Sequence, residues 1–321
     1  MKVLSLFDGI SCGRVALERV TGGILVERYV AYEIDPYAVK ISEKNYPSIE
    51  HYGDVFEGDF TQYKGFDLLL GGSPCTFWSV ARKDRETTPD GIGGQLFMQY
   101  VRALKEASPK YFLYENNYSI HQDIKDFISK ELGVEPVMIN SSMVSAQLRK
   151  RCYWTNIPNV IQPEDRNILL KDIIESGIVD RDKSLCMTSR YAGYQGTQSY
   201  LCRRYLGKKI NQGVFRDFKS MDTAKKLWGE DPYFDKENSS EYNEENWLIR
   251  RLTPVEAERL QTLPDNYTEG VPDSQRYKCI GNGWTVDVIS HILKGLKEAV
   301  SDKPKVESDN TALEGLFASF C

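Results

Sequence analysis

The chain has 321 residues, 41% of them apolar, with a formal net charge of −5 and seven cysteines; that length suits one large and one small domain with a sizeable core. No apolar run approaches the ~20 residues of a membrane span, the N-terminus carries no signal-peptide pattern, and an odd cysteine count without a C-x-x-C pair argues against a disulfide framework and against structural zinc, so a reducing, cytoplasmic setting is expected. The acidic balance counts only mildly against a nucleic-acid partner, because a basic face is a local property.

Residues 2–7 alternate as a strand, meet the turn Asp8-Gly9-Ile10-Ser11-Cys12-Gly13 and lead into a helix over 14–20. Strand, glycine turn and helix open a nucleotide-binding βα unit, in which Gly9 and Gly13 let the backbone approach a ligand; many α/β proteins carry such a turn for packing alone. A second strand over 24–32 ends at Glu33, twenty residues past Gly13, about where a Rossmann-like unit places an acid on ribose hydroxyls. Asp35-Pro36 starts a helix running to about Asn45. A short strand over 51–55 ends at Asp54, which reads either as a turn residue or as an acceptor for an adenine amino group.

The apolar run 68–70 is a buried strand. It stops at Gly71-Gly72, turns through Ser73-Pro74 and delivers Cys75 beyond its carboxyl end, where open α/β sheets bind ligands. A lone cysteine there is by itself a small buried hydrophobe; the neighbouring stretches give it chemistry. The loop 80–94 carries Arg82, Lys83 and Arg85, then Gly91, Gly93 and Gly94. Its basic start reads as a phosphate contact and its glycines as hinges, a solvated surface loop being the alternative. After a helix over 95–107, the strand 111–114 ends at Glu115, in the position equivalent to Cys75, so thiol and carboxyl can reach one substrate. A helix over 120–132 and a strand over 137–139 follow. Gln147-Leu-Arg149-Lys-Arg151 then enters the apolar 152–154, with both arginines on one side of an extended strand.

From about Asn159 the periodicity fades. Residues 190–219 hold seven Lys/Arg against the single acid Asp217, with six aromatics and several glycines interleaved. That mixture suits a polyanion with bases to read. Residues 229–245 are the reverse, seven acids against Lys236, and fit a solvated loop facing away from nucleic acid. Periodicity resumes at Arg251, with Thr253 as N-cap and Pro254 at the first helical position. The Gly281-Asn282-Gly283-Trp284 turn precedes a helix over 286–300, and an apolar face from Leu313 to Phe320 closes the chain. The expected organisation is a catalytic and cofactor domain (1–160), a loop-rich target-recognition domain (161–248), a return segment (249–300) and a tail (301–321). The expected fold class is α/β: a Rossmann-like, mostly parallel sheet with flanking helices.

In this order these stretches resemble the 5-methylcytosine DNA methyltransferases, from Lys2 to Ile292 except the middle of the small domain. Asp8 to Gly13, with Phe7 before it, looks like the family's cofactor turn. Glu33-Ile34 looks like its ribose acid, and Asp54-Val55 its adenine acid, preferred to Asp59 because Gly-Asp-Val is the family form. Ser73-Pro74-Cys75 looks like the nucleophile motif, Glu115-Asn116 the Glu-Asn-Val motif, and Gln147, Arg149 and Arg151 the Gln-x-Arg-x-Arg motif. The 251–261 stretch and Gly281-Asn282 complete the set. Ala81-Arg82-Lys83 and the stretch up to Phe97 also resemble the vertebrate de novo enzymes. Thr76, Trp78 and Asn117 depart from the usual Gln, Phe and Val, and none removes a reacting group.

The resemblance implies S-adenosylmethionine held at Phe7–Gly13, Glu33, Ile34, Asp54, Val55, Ser73, Pro74, Asn282 and Trp284, double-stranded DNA as partner, no metal, and a bacterial or phage-encoded enzyme, with or without a cognate restriction enzyme. In its chemistry the Cys75 thiolate adds to C6 of cytosine and makes C5 nucleophilic. That thiolate needs a lowered pKa. Glu115 meets N3 and the exocyclic amino group, and Arg151, or else Arg149, holds O2. A stacked base cannot reach Cys75, so it is flipped out of the duplex. Further candidate contacts to DNA are Ser79, Arg82, Asn116, Gln147, Arg190, Arg203 and Arg204. Two other readings remain open: a tRNA cytosine-5 methyltransferase, whose small domain Cys186-x-Thr188 and Tyr191 resemble, and a catalytically silent DNA-binding relative.

Overall fold

The computed structural model describes residues 1–20, 22–79, 83–189, 191, 213–230 and 249–301. Seven strands, β1 (Lys2–Leu6), β2 (Arg28–Tyr32), β3 (Glu50–Tyr52), β4 (Leu68–Gly71), β5 (Tyr111–Asn117), β6 (Val137–Asn140) and β7 (Lys150–Thr155), form one sheet in the order β3-β2-β1-β4-β5-β7-β6. All neighbours run parallel except β7, which is antiparallel to both β5 and β6. The strand order reverses between β1 and β4, and ligands of doubly wound sheets bind outside the carboxyl ends at that switch point. Leu6 pairs with Tyr32 and with Gly71, and Gly71 with Tyr114. The turns after β1, β4 and β5 therefore leave the sheet on one rim.

Alternation along the strands feeds two cores. Val3, Leu68 and Leu70 face helices α1 (Cys12–Arg19), α2 (Pro36–Asn45) and α8 (Val286–Ser301). Leu4, Leu6 and Leu69 face α3 (Ile92–Ala107) and α4 (Gln122–Leu132). These leucines are fully buried, each contributing ~1.5–3 kcal/mol relative to exposure. A third core joins Leu170, Ile173, Met187 and Tyr191 to Leu252, Leu260, Tyr277 and Ile280. The last four belong to or flank α6 (Pro254–Leu260) and α7 (Asp273–Asn282), and beside them β8 (Val214–Phe215) pairs with β9 (Ile249–Arg250). Helix α5 (Phe218–Glu230) follows β8. Among the described residues no helix is long and apolar enough to cross a membrane.

Local chemistry explains the helix starts. Asp35 accepts from Tyr37 N–H with Pro36 at the first position of α2, and Thr253 with Glu256 forms a reciprocal capping box at α6. Three boundaries differ from the sequence expectation. β2 begins at Arg28, not residue 24, because the left-handed Gly22-Gly23 turn sends Ile24 N–H back to Leu17 O. β5 runs on to Asn117, so Glu115 lies inside a strand, paired across from Tyr153 of β7. Gly93 and Gly94 are helical, not hinges. A Cβ on either would strike the Trp78 indole or the Pro89 carbonyl; they are glycines of close approach. The acidic stretch beyond Glu230 and the apolar face 313–320 lie outside the described residues.

Candidate active site

The turn after β1 is conformationally demanding. Phe7 and Ser11 adopt left-handed φ values of 57° and 59° beside Gly9 at 60°. Non-glycine residues hold such conformations only where the surroundings over-determine them, commonly at ligand sites. Here Asp8 does much of that. Its carboxylate accepts from Ser5 Oγ (2.5 Å), Ser11 Oγ (2.5 Å) and Tyr29 OH (2.7 Å), while burial raises its pKa. Gly9 N–H donates to Glu33 Oε2 at 2.8 Å, and Glu33 Oε1 accepts from the Ile34 and Asp35 amides. Burial raises the Glu33 pKa, opposed by those N–H groups. A Cβ at Gly9 would point into open space. Phe7, Asp8, Gly9, Glu33 and Asn282 line one crevice with Pro74, Cys75, Glu115, Arg149, Arg151 and Trp284.

Four expected cofactor contacts do not line it. Gly13 packs against the sheet, where a Cβ would stand 2.7 Å from Leu70 Cδ1. Ile34 is exposed and Val55 buried in a separate 3-10 turn. Asp54 caps that turn, its Oδ1 accepting from Phe56 N–H at 3.0 Å. Asp59 likewise caps the next turn through Thr61.

β4 and β5 jointly build the thiol's turn. Ser73 Oγ and Tyr114 OH share a hydrogen bond of 2.6 Å, and Asn116 Nδ2 donates to Ser73 O (3.4 Å) and Tyr114 OH (3.3 Å). Asn116 is 1% exposed; it braces the Pro74-Cys75 turn and does not reach the crevice, which corrects its expected substrate contact. Cys75 opens a 3-10 turn whose carbonyl accepts from the Trp78 and Ser79 amides. Burial pushes its thiol pKa up; the Arg151 charge lowers it and Glu115 raises it further, and the net shift is upward.

Glu115 and Arg151 face each other, with Arg151 Nε 2.8 Å from Glu115 Oε1. The Trp284 indole N–H donates to Glu115 Oε2 at 3.0 Å. Arg151 also donates from Nη1 to Lys150 O and from Nη2 to Cys186 Sγ at 3.8 Å. Arg149 does different work. Its guanidinium donates to Met187 O and Gly283 O (2.9 Å each), Gly281 O (3.3 Å) and Cys186 Sγ (3.4 Å). Gln147 is fully buried, giving its amide to Leu260 O and Gln261 Oε1 and accepting from Met187 N–H. Both clamp the return segment onto β7, which corrects Gln147 as a substrate contact; Arg149 lines the crevice with its guanidinium committed to that clamp. Ser79 is half-buried. Arg82, Arg190, Arg203 and Arg204 lie outside the described residues.

Cys186, part of the tRNA-enzyme resemblance, stands against both arginines. Burial opposes ionisation of its thiol, but Arg149 and Arg151 outweigh it, and its pKa is lowered.

A thiol, a carboxylate and a guanidinium thus converge at the switch point of a doubly wound sheet, the architecture of cofactor-dependent group-transfer enzymes. The chain belongs to the C-5 cytosine-specific DNA methylase family, which matches residues 1–298, and is a DNA cytosine-5 methyltransferase. It is 28% identical to the type II methyltransferase M1.ScrFI of Lactococcus lactis subsp. cremoris, over 95% of this chain and 80% of that one. It is also 28% identical to the type II methyltransferase M.FnuDI of Fusobacterium nucleatum, over 96% and 98%. Among solved structures it shares its fold with a mutant of Spodoptera frugiperda DNMT2 (TM-score 0.68, 18% identity, 92% of this chain and 99% of that one). A putative DNA modification methyltransferase encoded within an E. coli prophage is similar too (0.56, 21%, 94% and 100%).

Proposed function

We propose that the protein binds S-adenosylmethionine in the crevice beside the Gly9 turn and methylates a flipped cytosine of duplex DNA through a covalent bond from Cys75. The observation that carries this reading is the meeting of Cys75, Glu115 and Arg151 in the crevice that Gly9 and Glu33 also line. The open space beside Gly9 and the Glu33 carboxylate fit a nucleoside with hydroxyls. When bound, S-adenosylmethionine supplies an electrophilic methyl. Cys75 Sγ adds to C6 of the base. Glu115 gives N3 a hydrogen bond from its protonated form and accepts from the 4-amino group, so charge entering the ring is neutralised. Arg151 holds O2. After methylation the C5 proton leaves to a base and Cys75 departs by elimination, restoring the thiolate. The raised pKa of the free thiol makes its activation depend on the assembled complex: Arg151 is the cation that favours the thiolate, and Glu115 opposes it until protonated.

Segment 190–219 supplies the choice of site in this reading, through phosphate contacts that position and base contacts that specify. The test uses methyl-labelled S-adenosylmethionine with duplex DNA and, separately, tRNA transcripts. Label in duplex DNA, at cytosines that then resist bisulfite conversion, is the expected outcome. Label confined to tRNA would overturn the DNA assignment.

A further inference from the structure

Glu115 has two carboxylate oxygens, and two distant parts of the chain each hold one. Arg151, on the neighbouring strand, takes Oε1. Trp284, from the turn between α7 and α8, takes Oε2 through its only polar atom. The indole is not a loose surface contact. The Gly283 carbonyl before it accepts from Arg149 Nη2 (2.9 Å) and Gln261 Nε2 (3.1 Å). The Thr285 hydroxyl after it is bonded to Ser141 Oγ and Gln261 Oε1 (2.8 Å each). Gly72 leaves room for the pair, since a Cβ there would stand 3.1 Å from Glu115 Oε2 and 3.3 Å from Trp284 Nε1.

We propose that Trp284 is a positioning residue that acts through Glu115: its indole N–H fixes Oε2 as the acceptor edge of the carboxyl and ties the turn beside the cofactor crevice to the group that meets the base. An indole N–H can only donate. An oxygen that receives it keeps its remaining lone pair for another donor. Arg151 Nε likewise only donates, and it holds Oε1 in the free protein. Once Arg151 turns to O2 of the base, Oε1 loses its donor while Oε2 keeps the indole, so Oε2 suits the 4-amino group of cytosine and the proton needed at N3 falls to Oε1. The sequence resemblance puts Trp284 among the cofactor contacts; the structure gives its polar atom a different partner.

The inference rests on the covalent reading proposed above, and the experiment separates the two. Duplex DNA carrying 5-fluorocytosine at the target site is mixed with excess enzyme and S-adenosylmethionine, and the rate of adduct formation is followed on denaturing gels. S-adenosylhomocysteine affinity is measured by calorimetry on the same proteins. In Trp284→Phe the adduct rate falls about tenfold or more, the loss of one hydrogen bond to a charged group, while S-adenosylhomocysteine affinity changes less than about twofold. Replacing Trp284 by benzothienylalanine, which keeps the ring shape and lacks the N–H, reproduces that loss and guards against a packing defect. In a Glu115→Ala background, which removes the indole's acceptor, adding Trp284→Phe slows the residual reaction no further. An unchanged rate in both Trp284 variants, a cofactor affinity that falls as far as the rate, or effects that multiply with Glu115→Ala would each overturn the proposal. Absence of any adduct with the wild type would instead overturn the covalent reading, and this one with it.

Discussion

The two arginines two residues apart are expected to fail in opposite ways. Arg149 is 4% exposed and meets three carbonyls and a sulfur. The bonds at 2.9 Å to Met187 O and Gly283 O are full charge-assisted hydrogen bonds, worth ~1.5–3 kcal/mol each; the longer pair adds little. Arg149→Ala should therefore lower stability by ~3–5 kcal/mol, and Arg149→Lys should recover only part, since an ammonium cannot fork between Met187 and Gly283. Arg151 is spent on Glu115, Lys150 O and Cys186. Arg151→Ala leaves Glu115 its Trp284 bond, so the stability cost should be ~1–2 kcal/mol, while turnover drops a hundredfold or more, about the cost of one preorganised donor. Urea unfolding compared at constant m value measures the first effect, and labelled methyl transfer the second. If Arg149→Ala cost under ~1 kcal/mol yet abolished turnover with cofactor affinity intact, the roles would be exchanged and the clamp argument wrong.

Three further outcomes follow from other parts of the molecule. Glu258 is fully buried and accepts from Arg276, Thr268 and the Asn266 amide; Glu258→Ala should cost ~3–5 kcal/mol by stripping those buried donors of their acceptor, and a urea midpoint near wild type would refute this. Iodoacetamide at neutral pH should label Cys186 faster than Cys75 in the free protein, because only the thiolate reacts and the two thiols are shifted in opposite directions; labelling of Cys75 should then rise as pH increases, and peptide mapping that finds Cys75 first would contradict the electrostatics. Lys125 and Lys150 stand 4.5 Å and 5.8 Å from the exposed Tyr118 ring, just past β5; replacing either by Ala should lower the salt slope of DNA binding by about one unit or less, and an unchanged slope would remove this face from the DNA path.

How far the sequence could be read depends on the range of the interaction concerned. The Asp35-Pro36 and Thr253-Pro254 starts were legible because a cap and its partner amide lie within three residues. The β1 and β4 turns were legible because glycines and apolar runs mark them locally. At Gly93 and Gly94 the sequence is ambiguous because glycine signals both mobility and close approach, and the decision falls to Trp78 against Gly93 and to Pro89 against Gly94. Asp54 carries the motif of an adenine contact, and its Oδ1 also accepts from an amide two residues on, which the motif does not announce. Asn116 and Gln147 belong to motifs that suggest contact with substrate; their burial and their partners, up to 114 residues distant for Gln147 Nε2 with Gln261 Oε1, make them braces. The Trp284–Glu115 bond spans 169 residues, and nothing local announces it. The same holds for Cys186, whose pKa is set by two arginines on another element.

The central claim is that Cys75, rather than the more acidic Cys186, attacks the base. It is tested most directly by digesting the complex trapped on a 5-fluorocytosine duplex and locating the nucleotide adduct by mass spectrometry. The account predicts a single modified peptide containing Cys75, and no trapped complex with Cys75→Ser. An adduct on the Cys186 peptide, or a trapped complex that persists in Cys75→Ser, would contradict it.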